Sequence, residues 1–150
     1  MILNKQLTAI WILVIWSCFV LGQSLFFKFQ GHEETQIIFG TISGWMSGIS
    51  LFAWLAPTFE QYGGITVGMV ELIAVILLLI PKLRVFGAAI AVGVLSGAIF
   101  FHLFTPLGIV RVTNAAGDTD GGVLFFMAVS VWISGLIILI LSALQRRKNS

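Results

Sequence analysis

Charge is scarce in this chain. Of its 150 residues only 9% are Asp, Glu, Lys or Arg, against 59% hydrophobic, whereas a soluble domain carries about 25% charged residues. The mean hydropathy of +1.07 points instead to a polytopic membrane protein. Cysteine is scarcer still. Cys18 stands alone, which excludes an intrachain disulfide and a paired-thiol redox motif and leaves it as a small packing residue. No haem, flavin or iron–sulfur motif is present. No metal set is expected either. His32, Glu33 and Glu34 are adjacent on one polar segment, where neighbours rarely converge on one ion, and they read as a solvated helix start. Asp118-Thr-Asp120-Gly121 lacks the twelve-residue calcium pattern with its terminal glutamate. The net charge of +2 does not indicate nucleic acid, because most of the cations flank apolar runs, where they set membrane topology.

What the chain has in quantity is long apolar runs. Four are expected to be membrane-spanning helices: residues 8–27, 65–80, 85–104 and 123–144. The first exceeds the apolar core of about 7–15 residues in a signal peptide and has no small-x-small cleavage site after it, so it is expected to stay in the protein. Pro81 closes the second run and Thr105-Pro106 the third, since proline cannot continue a helix comfortably. Lys82-Leu-Arg84 makes a tight basic turn that sets the second and third runs antiparallel. Residues 36–57 are uncharged, with Gly40, Gly44 and Gly48 at small-xxx-small spacing and with Trp45 and Trp54 spread along the segment. They are expected to form a helical segment lying on or re-entering the membrane. The whole chain, 1–150, is taken as one domain: an all-α integral membrane four-helix bundle with that extra interfacial or re-entrant segment between spans one and two.

Glu71 is the residue the rest turns on. It is a carboxylate inside an apolar run, and such a group is costly in a bilayer unless it has a partner or a function. Lys5, Lys82, Arg84, Arg146, Arg147 and Lys148 fall on one side of a four-span chain, with Lys28 and Arg111 on the other. This balance places both termini in the cytoplasm. Glu71 then lies about 9 Å below the outer end of its span. Lys28 and His102 end spans that travel outward, and Asp118 and Asp120 precede one that travels inward. The candidates therefore gather near the outer face. Glu71, His102, Lys28, Gln23 and Ser24 are expected in a ligand or proton-transfer pocket, with Asp118, Asp120 and His32 contributing from the outer loops. Ser17, Ser24 and Lys28 share one helix face, as do Gly64, Gly68 and Glu71. If residues 36–57 also span, the charge balance is the same, but Lys28 moves to the cytoplasmic side, away from Glu71. Four spans are preferred because they unite the polar set.

Leu25-Phe-Phe-Lys28-Phe-Gln-Gly31, Gly68-Met-Val-Glu71-Leu-Ile-Ala, Ser96-Gly-Ala-Ile-Phe-Phe-His102-Leu and Asp120-Gly-Gly-Val-Leu-Phe resemble, in order, the blocks of the DoxX-like family of small bacterial membrane proteins. The resemblance implies a four-helix bundle in the bacterial inner membrane and kinship with the DoxD-type subunit of thiosulfate:quinone oxidoreductase. Ser43–Glu60 is longer than the family's usual connection.

Three functions are compatible with these residues. One is a redox-associated subunit binding a quinone-like or other small ligand, with electrons supplied by a partner protein or soluble ligand. Another is a non-catalytic scaffold or accessory subunit whose Lys/Glu/His network fixes helix register, with glycine faces at Gly40/Gly44/Gly48 or Gly93/Gly97 available for homo-oligomer contacts. The third is a small proton-linked carrier, for which no polar residues line a cytoplasmic route. No resident cofactor is evident beyond a quinone-like ligand. The expected partner surface is the lipid bilayer.

Overall fold

In the computed structural model the described residues are 2–148, with side chains described for 5–145. Arg146, Arg147 and Lys148, which count in the charge balance, lie outside the described side chains. Five helices make up most of the described residues: α1 (Ile2–Phe29), α2 (Glu33–Ser47), α3 (Ala56–Leu79), α4 (Arg84–Phe104) and α5 (Val123–Lys148). Among the described residues the one β pairing is an isolated bridge between Val112 and Thr119. Helices α1, α3, α4 and α5 are each long and apolar enough to cross a membrane.

Local chemistry sets where the helices stop. α1 ends in a Schellman motif, with the Gly31 N–H donating to Lys28 O and the His32 N–H to Phe27 O. Gly31 takes the left-handed φ of +60° that this closure needs. The motif's usual apolar clasp is present as the Phe27 and His32 rings, 5.2 Å apart. α3 and α4 end because a residue preceding proline is pushed out of the helical region. Ile80 before Pro81 and Thr105 before Pro106 are both extended.

α3 starts earlier than the sequence predicts. Pro57 sits in its first turn, where a fixed φ and a missing N–H cost nothing, so the helix takes in the end of the preceding segment and residues 58–64, which lay between the two expected segments. The expected single helical piece over 36–57 is accordingly α2 followed by a run of turns, which begins with the Gly48 N–H bonding to Trp45 O.

The four long helices pack in the order α1, α3, α4, α5 and back to α1, and α2 lies against α3. Their shared core is built from Ile10, Val14, Ala74, Leu78, Val131 and Ile138, all essentially buried. A second cluster of Ile42, Met46, Ala56 and Leu107 joins α2 to the starts of α3 and of the α4–α5 loop.

Close helix approach occurs on the Gly64/Gly68 face, where a Cβ would lie 3.0 Å from Thr35 Cγ2 and 2.9 Å from Phe29 Cε1, and at two glycines outside the small-xxx-small rows. A Cβ on Gly87 would lie 2.6 Å from Leu78 N and 2.9 Å from Ala74 O, and one on Gly135 would lie 2.7 Å from a Val92 methyl. A Cβ on Gly44, Gly93 or Gly97 meets nothing within 4 Å, and one on Gly40 or Gly48 meets a single atom at 3.9 or 3.5 Å. Both small-xxx-small rows are therefore open rather than packed within the chain.

Arg84 is also placed differently from a turn residue. It is buried, donates Nε–H to Leu78 O at 3.0 Å and stacks its guanidinium 4.1 Å over the Trp11 ring. It thereby ties α1, α3 and α4 together at one end.

Candidate functional site

Glu71 and Lys28 meet as expected. Lys28 Nζ donates to both carboxylate oxygens at 2.7 and 2.6 Å and lies 2.7 Å from Ser24 Oγ, which itself donates to Glu71 Oε2 at 3.4 Å. The geometry follows from the two helices. The Schellman end fixes Lys28 in the last turn of α1, and Gly68, one turn before Glu71, lets α3 come against Phe29 and the Lys28 Cβ. The side chains are 14% and 5% exposed, so each charge is held away from water and compensated by the other. A buried charge lacking such a partner would be strongly destabilising.

A second, larger charge cluster stands beside it, and it centres on Arg111. This residue, counted from sequence only among the outer-side cations, is 3% exposed. Its Nη2 donates to Glu34 Oε1, and its Nε lies 3.4 Å from Asp120 Oδ2, within ion-pairing range but without a hydrogen bond. Glu33 accepts from the Ala115 N–H at 2.8 Å. The first turn of α2, expected to be a solvated helix start, is therefore strapped to the α4–α5 loop by two carboxylates.

Asp120 does cap α5. Its Oδ1 accepts from the N–H groups of Gly122 and Arg111 at 2.9 and 3.1 Å, and its Oδ2 from Leu124 N–H at 3.2 Å. Gly121 and Gly122, at φ of +60° and +86°, turn the chain back so that one carboxylate reaches both sides. Burial pushes the Asp120 carboxyl up, but the three N–H donors and the Arg111 charge together outweigh it and hold the group below the usual carboxylate range.

His102, in the last turn of α4, donates Nδ1–H to Gly108 O at 2.6 Å. A carbonyl only accepts, so the proton is on Nδ1, and Nε2 is an acceptor in the neutral ring. Among the described residues Nε2 has no hydrogen-bond partner. The ring packs edge-on to Phe125, 5.6 Å away.

Both clusters border one cavity of about 530 Å³, walled by all five helices and the α4–α5 loop. Most of its wall is aliphatic and aromatic. Lys28, Glu71, Glu34, His102, Arg111 and Asp120 supply the charged and titratable groups. Gln23 and Ser24 also line it. His32 and Asp118 do not: His32 is exposed beside Phe27, and Asp118 accepts from Asn114 Nδ2 at 2.8 Å within its own turn. Gly93 and Gly97 line the cavity, so their missing side chains enlarge it.

Nothing in a family model, a curated protein or a solved structure matches this chain.

The geometry decides which polar groups are spare. Lys28 and Glu71 are consumed by each other. Arg111 is not: among the described residues its Nε, which faces the Asp120 carboxylate, and its Nη1 are both buried with no hydrogen-bond partner, and such a donor costs roughly 1–3 kcal/mol if left unsatisfied. His102 Nε2 is the second free position. The cavity thus offers an apolar body site with Arg111 Nη1 as an unused donor and His102 Nε2 as an unused acceptor on residues of its wall, which is the usual composition of a small-molecule site.

Proposed function

We propose that the chain is a DoxX-like, multi-pass protein of the bacterial inner membrane that binds a small quinone-like ligand in this cavity and acts as a redox-associated subunit. In this arrangement α1, α3, α4 and α5 span the bilayer, both termini are cytoplasmic, and the cavity opens near the outer face. The length of α2 supports four spans over five: 15 residues reach only about 22 Å at 1.5 Å per residue, short of a hydrocarbon core of about 30 Å. Leu51 and Trp54 in the turns after α2 are 71% and 76% exposed, as suits a segment resting in the headgroup region.

The single observation that carries the functional reading is the largely apolar cavity with Arg111 Nη1 and His102 Nε2 left unpaired at its wall. A quinone ring has the apolar faces for the body of such a site and carbonyl oxygens for its polar end. His102 would exchange a proton at Nε2, while Lys28 and Glu71 would hold α1 and α3 in place around the ligand. Electrons would come from a partner protein.

The closure of Lys28 onto Glu71 favours the scaffold alternative for those two residues taken alone. The spare donor and acceptor favour a ligand. Mass spectrometry of the protein extracted with its native lipids tests the choice. A quinone enriched with the protein well above its level in the surrounding membrane is the expected result. A quinone content equal to that of an unrelated membrane protein from the same cells would contradict it.

A further inference from the structure

We infer that the ligand's polar end is uncharged, a carbonyl or hydroxyl oxygen read by Arg111 and His102, and that the same site rejects anions. This rests on the cavity being a ligand site, as proposed above, and adds what the site selects. Arginine at a cavity wall ordinarily suggests a carboxylate or phosphate partner. Here that role is already filled, because Glu34 and Asp120 both pair with Arg111, and Glu71 pairs with Lys28. Two cations face three carboxylates, so with His102 neutral the formal charge of the polar pole is −1. An incoming anion would meet net negative charge in a poorly hydrated site, where like charges repel far more strongly than in water.

A neutral acceptor faces no such penalty. A carbonyl oxygen accepts from the unpaired Nη1–H, which needs a partner and not a further negative charge. The tautomer of His102, fixed by Nδ1–H donation to Gly108 O, leaves Nε2 to accept from a hydroxyl. One acceptor oxygen and one donor hydroxyl on an apolar frame fit the two vacancies, and the oxidised and reduced forms of a quinone-like molecule present these two groups in turn. Long-chain carboxylates and small inorganic sulfur or phosphorus oxyanions are disfavoured by the same charge count.

The test is a binding titration of the full chain in nanodiscs of zwitterionic lipid at pH 7.5, with two probes of matched chain length: a decyl-substituted benzoquinone and decanoate. Saturable quinone binding at least about tenfold tighter than decanoate is expected, a ratio within reach of one partly buried like charge. Glu34→Gln keeps an acceptor for Arg111 Nη2 but removes one negative charge, and it is expected to narrow that ratio several-fold. Decanoate binding as tightly as the quinone, or a ratio unchanged in Glu34→Gln, overturns the charge selection while leaving a ligand site in place. Saturable binding of neither probe overturns the ligand site itself and this inference with it.

Discussion

At the scale of single residues, the two charge clusters differ in what they have left to give. Lys28 and Glu71 satisfy each other, and Ser24 completes the set. Removing one member strands the other, whereas replacing both by apolar residues of similar size is often neutral or better. Glu71→Gln is therefore expected to lower stability by roughly 3 kcal/mol, and the double variant Lys28→Met with Glu71→Leu to recover most of it, read by thermal unfolding in detergent. A double variant no more stable than Glu71→Gln would assign the pair a role beyond mutual compensation. Glu71 was legible in the sequence because a carboxylate inside an apolar run stands out, and its depth named Lys28 as partner. Arg111 was not. It sits in a short loop among ordinary loop residues, and its burial comes from Glu34, 77 positions away, on a helix whose start looked solvated. The one local signal was its flanks, Ile109-Val110 and Val112, which are apolar for a loop.

At the scale of helices, the chain's apolar runs and proline stops located four of the five elements, and the main differences were the early starts of α1 at Ile2 and of α3 at Ala56. Glycine spacing was a mixed guide: the Gly64/Gly68 face does meet Thr35 and Phe29, whereas the two small-xxx-small rows stay open. A small-xxx-small row states that a neighbour can come close, but whether one does depends on the relative placement of two helices, which no single segment encodes. Gly87 is where α3 and α4 touch, and the atoms its Cβ would strike belong to backbone that cannot rotate away. Gly87→Ala is accordingly expected to destabilise by about 1–3 kcal/mol. Gly44→Ala, with open space around it, is expected to be neutral or to gain up to about 1 kcal/mol from helix propensity. Equal effects of the two substitutions, compared by thermal unfolding, would contradict this packing.

At the scale of the whole molecule, the helices are arranged around a space as much as around a core. The aliphatic core occupies one part of the ring, from Ile10 to Ile138. The cavity occupies another, where α2 and the α4–α5 loop are strapped together by Glu33, Glu34 and Arg111. A cavity formed only as a packing defect would tolerate being filled and would lose nothing. A ligand site would lose its ligand. Gly97 separates the two cases, because it lines the cavity and nothing lies within 4 Å of its Cβ position. Gly97→Leu introduces a side chain into the free volume and replaces glycine by a strong helix former, a change worth up to about 1 kcal/mol in the helix's favour. The most direct measurement is the affinity of decyl-substituted benzoquinone for the wild-type chain and for Gly97→Leu, with the unfolding temperature of each. Saturable binding to the wild type, weakened by at least about tenfold in a Gly97→Leu chain of undiminished stability, is the predicted result. Equal affinity in the two stable proteins would show that the cavity is not where the ligand goes.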